Sequence, residues 1–296
     1  MSHAESSSRR PLTNVLVATD LSSGSELAVA RALLLPCGAG AERLFLHVVG
    51  GNADSPVARA EEVVLAHHLD EARRLAARGG GPAVADRDVA SSTVRGRAST
   101  EIVGAARRQK AGLIVLGRHG ESSVRATHLG STVEGAIRRA KTSVLVVSQP
   151  VSGPYRRALV AVDFSDTSRL AIDLTLRLTD ADTSSIDVLH VVGGREDGLP
   201  QDLAANDQEQ EARTRLEAFF TAFAGAGVDF TPIVERGDPR DVIVDAAAAR
   251  GCDLIVLGAR GRASLQRFLT GSVAEAVVRA ARCDVLVVRS TPDSIG

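Results

Sequence analysis

Short, unbroken runs of valine, leucine and isoleucine recur along this chain, separated by longer stretches in which apolar residues return at helical spacing. In the first half the runs are Val15–Ala18, Leu44–Val49, a weaker Asp88–Arg95, Leu113–Leu116 and Val144–Val147. A strand with one wet face alternates apolar and polar residues; continuous runs fit strands buried on both faces of a parallel sheet. Between them the helical period predicts Ser25–Leu35, Ala60–Arg78, Glu101–Gln109 and Thr132–Arg139. The second half predicts helices at Ser168–Leu178, Asp207–Ala224, Arg240–Ala249 and Val273–Ala281. Strands alternating with helices imply right-handed βαβ units and an open sheet covered on both sides. The fold class is α/β, in two copies.

The duplication is legible residue by residue. Val17-Ala-Thr-Asp20 is answered by Val160-Ala-Val-Asp163, and Leu46-His-Val-Val-Gly-Gly51 by Leu189-His-Val-Val-Gly-Gly194, both at an offset of 143. Leu113-Ile-Val-Leu-Gly117 returns as Leu254-Ile-Val-Leu-Gly258, and Val144-Leu-Val-Val147 as Val285-Leu-Val-Val288, now at 141. A two-residue deletion after Gly194 accounts for the change. The repeat is a whole domain rather than a solenoid unit. The seam at Gln149-Pro-Val-Ser-Gly-Pro154 divides the chain into domains 1–149 and 150–296. The last run of each copy would form a valine-rich sheet edge prone to aggregation, so these two are expected to pair with each other or be covered.

Composition narrows the function classes. The 296 residues are 44% hydrophobic and 24% charged, a globular balance with length for two cores. No apolar run reaches the roughly 18–20 residues of a membrane span, and the polar N-terminus lacks a secretory signal, so no membrane partner is expected. Cys37, Cys252 and Cys283 form neither a disulfide framework nor a zinc spacing, which fits a cytoplasmic location. Residues 1–149 carry 19 Lys+Arg against 14 Asp+Glu, and the remainder 16 against 22, giving +5 and -6. The halves would attract each other, the first half would meet an anionic partner, or surface charge has simply drifted. Arginines are scattered rather than set in a stripe, so nucleic acid is not an expected partner.

Ligands of open α/β sheets sit beyond the carboxyl ends of the strands, where the strand order reverses. After the first strand comes Asp20, and in the second copy Asp163. After the fourth comes Gly117-Arg-His-Gly120, nine residues, then Gly130-Ser131; the second copy gives Gly258-Ala-Arg-Gly261, nine residues, then Gly271-Ser272. Glycine permits positive φ and close approach of backbone to a ligand. A helix opening at Gly130-Ser131 offers free N–H groups and a positive dipole end to an anion such as phosphate. An Asp at the neighbouring strand end suits ribose hydroxyls or an adenine amine. Two readings stand together on spacing alone: a nucleotide site, or tight turns followed by capping boxes at Ser131-Thr-Val-Glu134 and Ser272-Val-Ala-Glu275.

This Gly-x2-Gly-x9-Gly-Ser pattern, with Asp after the first strand and His-Val ending the second, resembles the universal stress protein family over nearly the full length of both copies. The resemblance implies an adenine nucleotide alpha hydrolase-like fold with two open parallel five-stranded sheets of order 3-2-1-4-5. In the ATP-binding branch it implies phosphate-side positions at Gly117, Gly120, Gly130 and Ser131, and at Gly258, Gly261, Gly271 and Ser272. Asp20 and Asp163 would hold the adenosine, and Val48 and Val191 would meet adenine through backbone groups. The implied ligand is ATP with Mg2+, held without a protein metal site, in a regulator that reports to protein partners. The implied assembly is an intramolecular pseudo-dimer, with a homodimer as a further possibility. The second copy departs in having Val162 for Thr19 and Arg260, Arg262 and Arg267 in its loop, which would grip a triphosphate or lie in solvent.

Other chemistries fall away. Neither G-x-x-x-x-G-K-[ST] nor G-x-G-x-x-G can be placed, against phosphate-loop NTPases and dehydrogenases. His119 is matched by Arg260, so the copies share no general base near the phosphate loop. A slow ATPase or autophosphorylation at Ser131 or Ser272, and a nucleotide-independent scaffold, remain as alternatives. His67-His68 reads as a surface doublet, His47 and His190 as braces of their strand ends, and Cys283 as a small apolar residue.

Overall fold

The computed structural model describes residues 11–50, 57–80, 88–118, 129–179, 184–193, 205–221, 223, 228, 230–259 and 272–290. The first half runs β1 (Val15–Thr19), α1 (Ser23–Leu34), β2 (Arg43–Val49), α2 (Val57–Arg78), β3 (Val89–Arg95), α3 (Ala98–Arg108), β4 (Leu113–Gly117), α4 (Ser131–Arg139) and β5 (Ser143–Val147). The second repeats it as β6 (Arg157–Ala161), α5 (Asp166–Leu178), β7 (Ser185–Val192), α6 (Ala205–Thr221), β8 (Phe230–Arg236), α7 (Pro239–Ala249), β9 (Leu254–Gly258), α8 (Ser272–Ala280) and β10 (Asp284–Val288). The helices α1 and α5 start two residues before the sequence pattern suggests, because Ser22 and Ser165 act as N-caps, each hydroxyl accepting the N–H of Ser25 or Ser168.

Each half is parallel with the order 3-2-1-4-5, and the two join into one sheet of ten strands, β3-β2-β1-β4-β5-β10-β9-β6-β7-β8. The join is the expected pairing of the two valine-rich edges. Strands β5 and β10 run antiparallel with Val285 opposite Val146, Leu286 opposite Leu145 and Val287 opposite Val144. All five residues of each of these strands are buried. Alternate residues of every inner strand feed opposite layers. Val15, Val17 and Phe45 face α1 and α2, whereas Leu16, Leu44 and Ile114 face α3 and α4. Both layers continue across the join, so the halves share their cores.

Polar contacts ring this join with near two-fold symmetry. Ser143 and Asp284 occupy equivalent positions: Ser143 Oγ accepts the Arg289 N–H at 3.1 Å, and Asp284 Oδ1 accepts the Ser148 N–H at 2.9 Å. Arg138 of α4 pairs with Glu275 of α8 at 2.9 Å, and Arg279 of α8 pairs with Glu134 of α4 at 3.1 Å. Asymmetry enters where serine gives way to aspartate. Asp284 is buried and takes the Arg31 guanidinium at 3.3 Å and the Tyr155 hydroxyl at 2.7 Å. Arg31 also donates to Gly153 O at 2.6 Å and lies 4.1 Å above the Tyr155 ring, so one buried cluster fixes the crossing between the halves. The repeat places Leu174, Leu12 and Ser143 where this cluster has Arg31, Tyr155 and Asp284.

Candidate functional site

Strand β1 lies between β2 and β4, and β6 between β7 and β9, so each half has its switch point beside its first strand. β1 and β4 pair in parallel through Ala18 opposite Leu116. Asp20 and Gly117 therefore leave the sheet at the same end and on adjacent strands. Asp163 and Gly258 do so in the second half, where Ala161 pairs with Leu257. Strand β1 stops at Thr19 opposite His47, so Val48 extends past it, half-buried, on the same side of the crevice. Val191 takes the matching place in β7. Gly120, Gly261 and Gly271 lie outside the described residues, as does the side chain of Ser272, whose backbone opens α8.

The chain turns sharply after each aspartate. Leu21 has φ 64° and Phe164 φ 61°, left-handed backbone that bulky side chains seldom adopt and that costs about 1–2 kcal/mol. Both copies keep this kink at the mouth of the crevice. The kink lets each aspartate close an Asx turn. Asp20 Oδ1 accepts the Ser22 N–H at 3.1 Å and the Ser22 hydroxyl at 2.5 Å. Asp163 Oδ1 accepts the Ser165 N–H at 3.1 Å, the Ser165 hydroxyl at 2.6 Å and the Ser168 hydroxyl at 2.7 Å. Leucine and phenylalanine carry no sequence signal for a left-handed turn, so only the structure exposes this feature.

His47 and His190 hold the strand ends. Their Nδ1 atoms lie 2.9 Å from Thr19 O and 2.8 Å from Val162 O. A carbonyl only accepts, so the proton is on Nδ1 in both. His67 is exposed as expected, but His68 is not a surface residue. Its face of α2 packs on the sheet, and its Nε2 meets the Thr19 hydroxyl at 3.1 Å. Thr19 in turn meets Ser25 Oγ at 2.9 Å, and Ser25 donates to Ser22 O at 2.9 Å. Ser25 thus spends its proton on that carbonyl, Thr19 donates to Ser25, and His68 donates Nε2–H to Thr19. Burial pulls the His68 pKa below its usual value, while the Asp20 charge opposes the shift and His47 and His67 add to it. In the second copy Val162 replaces Thr19 and ends this relay, and Ser168 turns to Asp163 instead.

The glycines divide by cause. Neither Gly117 nor Gly130 has a positive φ, so conformational freedom is not what places them. A Cβ on Gly117 would stand 2.6 Å from Gly24 O, so its absence lets the first turn of α1 close onto β4. Gly130 is different: among the described residues the nearest atom to a Cβ there is Arg118 O, at an ordinary 3.7 Å. The capping-box alternative fails in the first copy. Gly130, not Ser131, is the N-cap, it makes no side-chain cap, and Ser131 is an exposed first helical residue. Glu134 is committed to Arg279 across the join. Among the described residues no side chain caps the opening turn of α4, whose main-chain N–H groups are of the kind that suits a phosphate. Among the described residues no group of three or more His, Cys, Asp or Glu is placed to hold a metal.

The sequence model of the universal stress protein family matches residues 11–148 and again 154–289. The chain belongs to the universal stress protein family. It is 32% identical to the universal stress protein YxiE of Bacillus subtilis over 149 residues, which is 46% of this chain and 99% of that protein. It is 27% identical to universal stress protein MJ0577 of Methanocaldococcus jannaschii over 154 residues, 46% of this chain and 95% of that one. These relatives are single-unit proteins in length, and this universal stress protein spans two. A universal stress protein from Archaeoglobus fulgidus has the same overall fold, with TM-score 0.67 and 21% identity over 93% of this chain and 98% of that structure. The architecture is the adenine nucleotide alpha hydrolase-like fold in tandem. No helix among the described residues is long and apolar enough to cross a membrane.

Proposed function

We propose that each half, 1–149 and 150–296, binds ATP at its switch point and that the chain is a nucleotide-dependent regulator in the stress response of the cytoplasm. The observation that carries this is the start of α4, where the N-cap Gly130 has no side chain and, among the described residues, no side chain caps the first N–H groups. In the first half Gly117, Gly120, Gly130 and Ser131 take the phosphates, Asp20 the ribose, and the Val48 backbone the adenine. In the second half Gly258, Gly261, Gly271 and Ser272, with Asp163 and Val191, do the same. Mg2+ accompanies the phosphates. A nucleotide-independent scaffold accounts for Gly117 through its contact with Gly24, but leaves the uncapped α4 and the repeated strain at Leu21 and Phe164 without a cause.

Equilibrium dialysis with radiolabelled ATP and Mg2+ tests the reading. One ATP per half is expected for the wild type, with Asp20→Ala and Asp163→Ala each removing one. Retention of full binding by the Asp20→Ala, Asp163→Ala double variant would overturn the site assignment. Saturating nucleotide that never binds the wild type would leave the scaffold.

A further inference from the structure

Arg118 stands between Gly117 and Gly120 in the first glycine motif, and its side chain does not stay in its own half. Its backbone N–H is held by Val147 O at 2.8 Å, which fixes where the side chain departs. The guanidinium then crosses the join and donates to Ala281 O and Arg279 O, carbonyls at the C-terminal end of α8. The last carbonyls of a helix have no partner within it, and a cation there also meets the negative end of the dipole. Arg118 is thus seated on α8. The other end of that helix, about 13 Å away, starts at Ser272 in the second phosphate motif.

Among the described residues the second copy does not return this contact. Ala259 follows Gly258 with the same backbone bond, to Val288 O at 2.8 Å, but has no side chain to reach α4. Helix α4 is gripped instead by Arg289, which bonds Ile137 O from beyond β10, outside either glycine motif. The two helices are also tied by the reciprocal Arg138–Glu275 and Arg279–Glu134 pairs. Arg279 gives its carbonyl to Arg118 and its side chain to Glu134, so one residue of α8 meets both the loop and the helix of the first site.

We infer that Arg118 couples the two nucleotide sites, with occupancy of the first site seating Arg118 on α8 and so tightening the second. The inference rests on the nucleotide reading above. Phosphate held by main-chain groups of the first glycine motif fixes the backbone that carries Arg118. It thereby selects the arrangement in which the guanidinium sits on α8. A helix of nine residues moves as one body, so fixing its C-terminal end also fixes the N–H groups of its first turn. The cost of ordering that turn is then met before the second nucleotide arrives, which gives positive coupling. Because Ala259 cannot do the same, Arg118 is the positioning residue and the first site is the sender.

Calorimetric titration of the full chain with ATP and Mg2+ tests this, using the wild type, Asp20→Ala and Asp163→Ala, each with and without Arg118→Ala. In the wild type the second site should bind at least about five-fold more tightly than in Asp20→Ala, where the first site is silent. Arg118→Ala should close that gap, and Arg118→Lys, which keeps a donor, should partly reopen it. In the Asp163→Ala chain, ATP at the first site should slow amide exchange at the end of α8, and Arg118→Ala should abolish the slowing. Two independent sites in the wild type, or undiminished coupling in Arg118→Ala, would overturn the coupling and leave the nucleotide reading intact. Absence of any ATP binding by the wild type would overturn both.

Discussion

Replacing Arg31 by leucine leaves the Asp284 carboxylate buried beside Tyr155 without its counter-charge. The side chains of Arg31 and Asp284 are 5% and 1% exposed, so water does not screen the loss. Removing one partner of a buried pair costs about 3–5 kcal/mol. The lower end is expected here, because the Tyr155 hydroxyl at 2.7 Å and the Ser148 N–H at 2.9 Å continue to solvate the carboxylate. Burial raises the Asp284 pKa, opposed by Arg31 and these hydrogen bonds. A carboxyl whose folded pKa is raised stabilises the fold most below its unfolded pKa and loses that contribution as pH rises through the folded value. The Arg31→Leu penalty should therefore be largest near neutral pH and shrink as pH falls through the raised Asp284 pKa and the carboxyl takes up a proton. The repeat supplies the compensating change: Leu174, Leu12 and Ser143 occupy the equivalent positions. The triple variant Arg31→Leu, Tyr155→Leu, Asp284→Ser should recover to within about 1–2 kcal/mol of wild type, since apolar replacement of a whole buried pair is often neutral. Urea unfolding followed by far-ultraviolet circular dichroism measures each step. A single-variant loss below about 1 kcal/mol, or a triple variant no better than the single, would refute the reasoning.

Two further outcomes follow from the crevice. Gly117→Ala drives a methyl to 2.6 Å from Gly24 O, so the start of α1 must shift, at about 1–3 kcal/mol, and nucleotide affinity in the first half should fall with it; unchanged thermal unfolding would contradict this. His68 has a lowered folded pKa, so its contribution is present above the unfolded value of 6.5 and is lost as pH falls through the folded one. His68→Gln keeps a donor for Thr19 but cannot ionise, so unfolding between pH 7 and 5 should depend less on pH than in wild type; parallel curves would exclude His68 as the titrating group.

How much of this was legible in the sequence depends on the range of the interaction. The strand runs, the repeat and the β5–β10 join could be read because burial on two faces writes itself into consecutive residues, and an unpaired valine edge has few stable outcomes. The glycine motif could be read because two diverged copies keep it. Its physical basis could not: positive φ, the usual reason for glycine, is absent at Gly117 and Gly130. The strained residues at the crevice are Leu21 and Phe164, whose side chains announce nothing about backbone. His68 read as surface because its helix is polar, and only docking of α2 on β1 shows which face turns inward. Arg118, and the cluster of Arg31, Tyr155 and Asp284, join residues more than a hundred positions apart, and no local pattern encodes such pairs.

The most direct measurement is the nucleotide content of the freshly purified protein. With one tyrosine and no tryptophan the chain absorbs little in the near ultraviolet, so bound adenine would dominate its spectrum and can be identified by chromatography after acid release. Adenine nucleotide at one per half is the predicted result, whether carried through purification or restored by titration with ATP and Mg2+. A clean spectrum together with no binding in that titration would contradict the account.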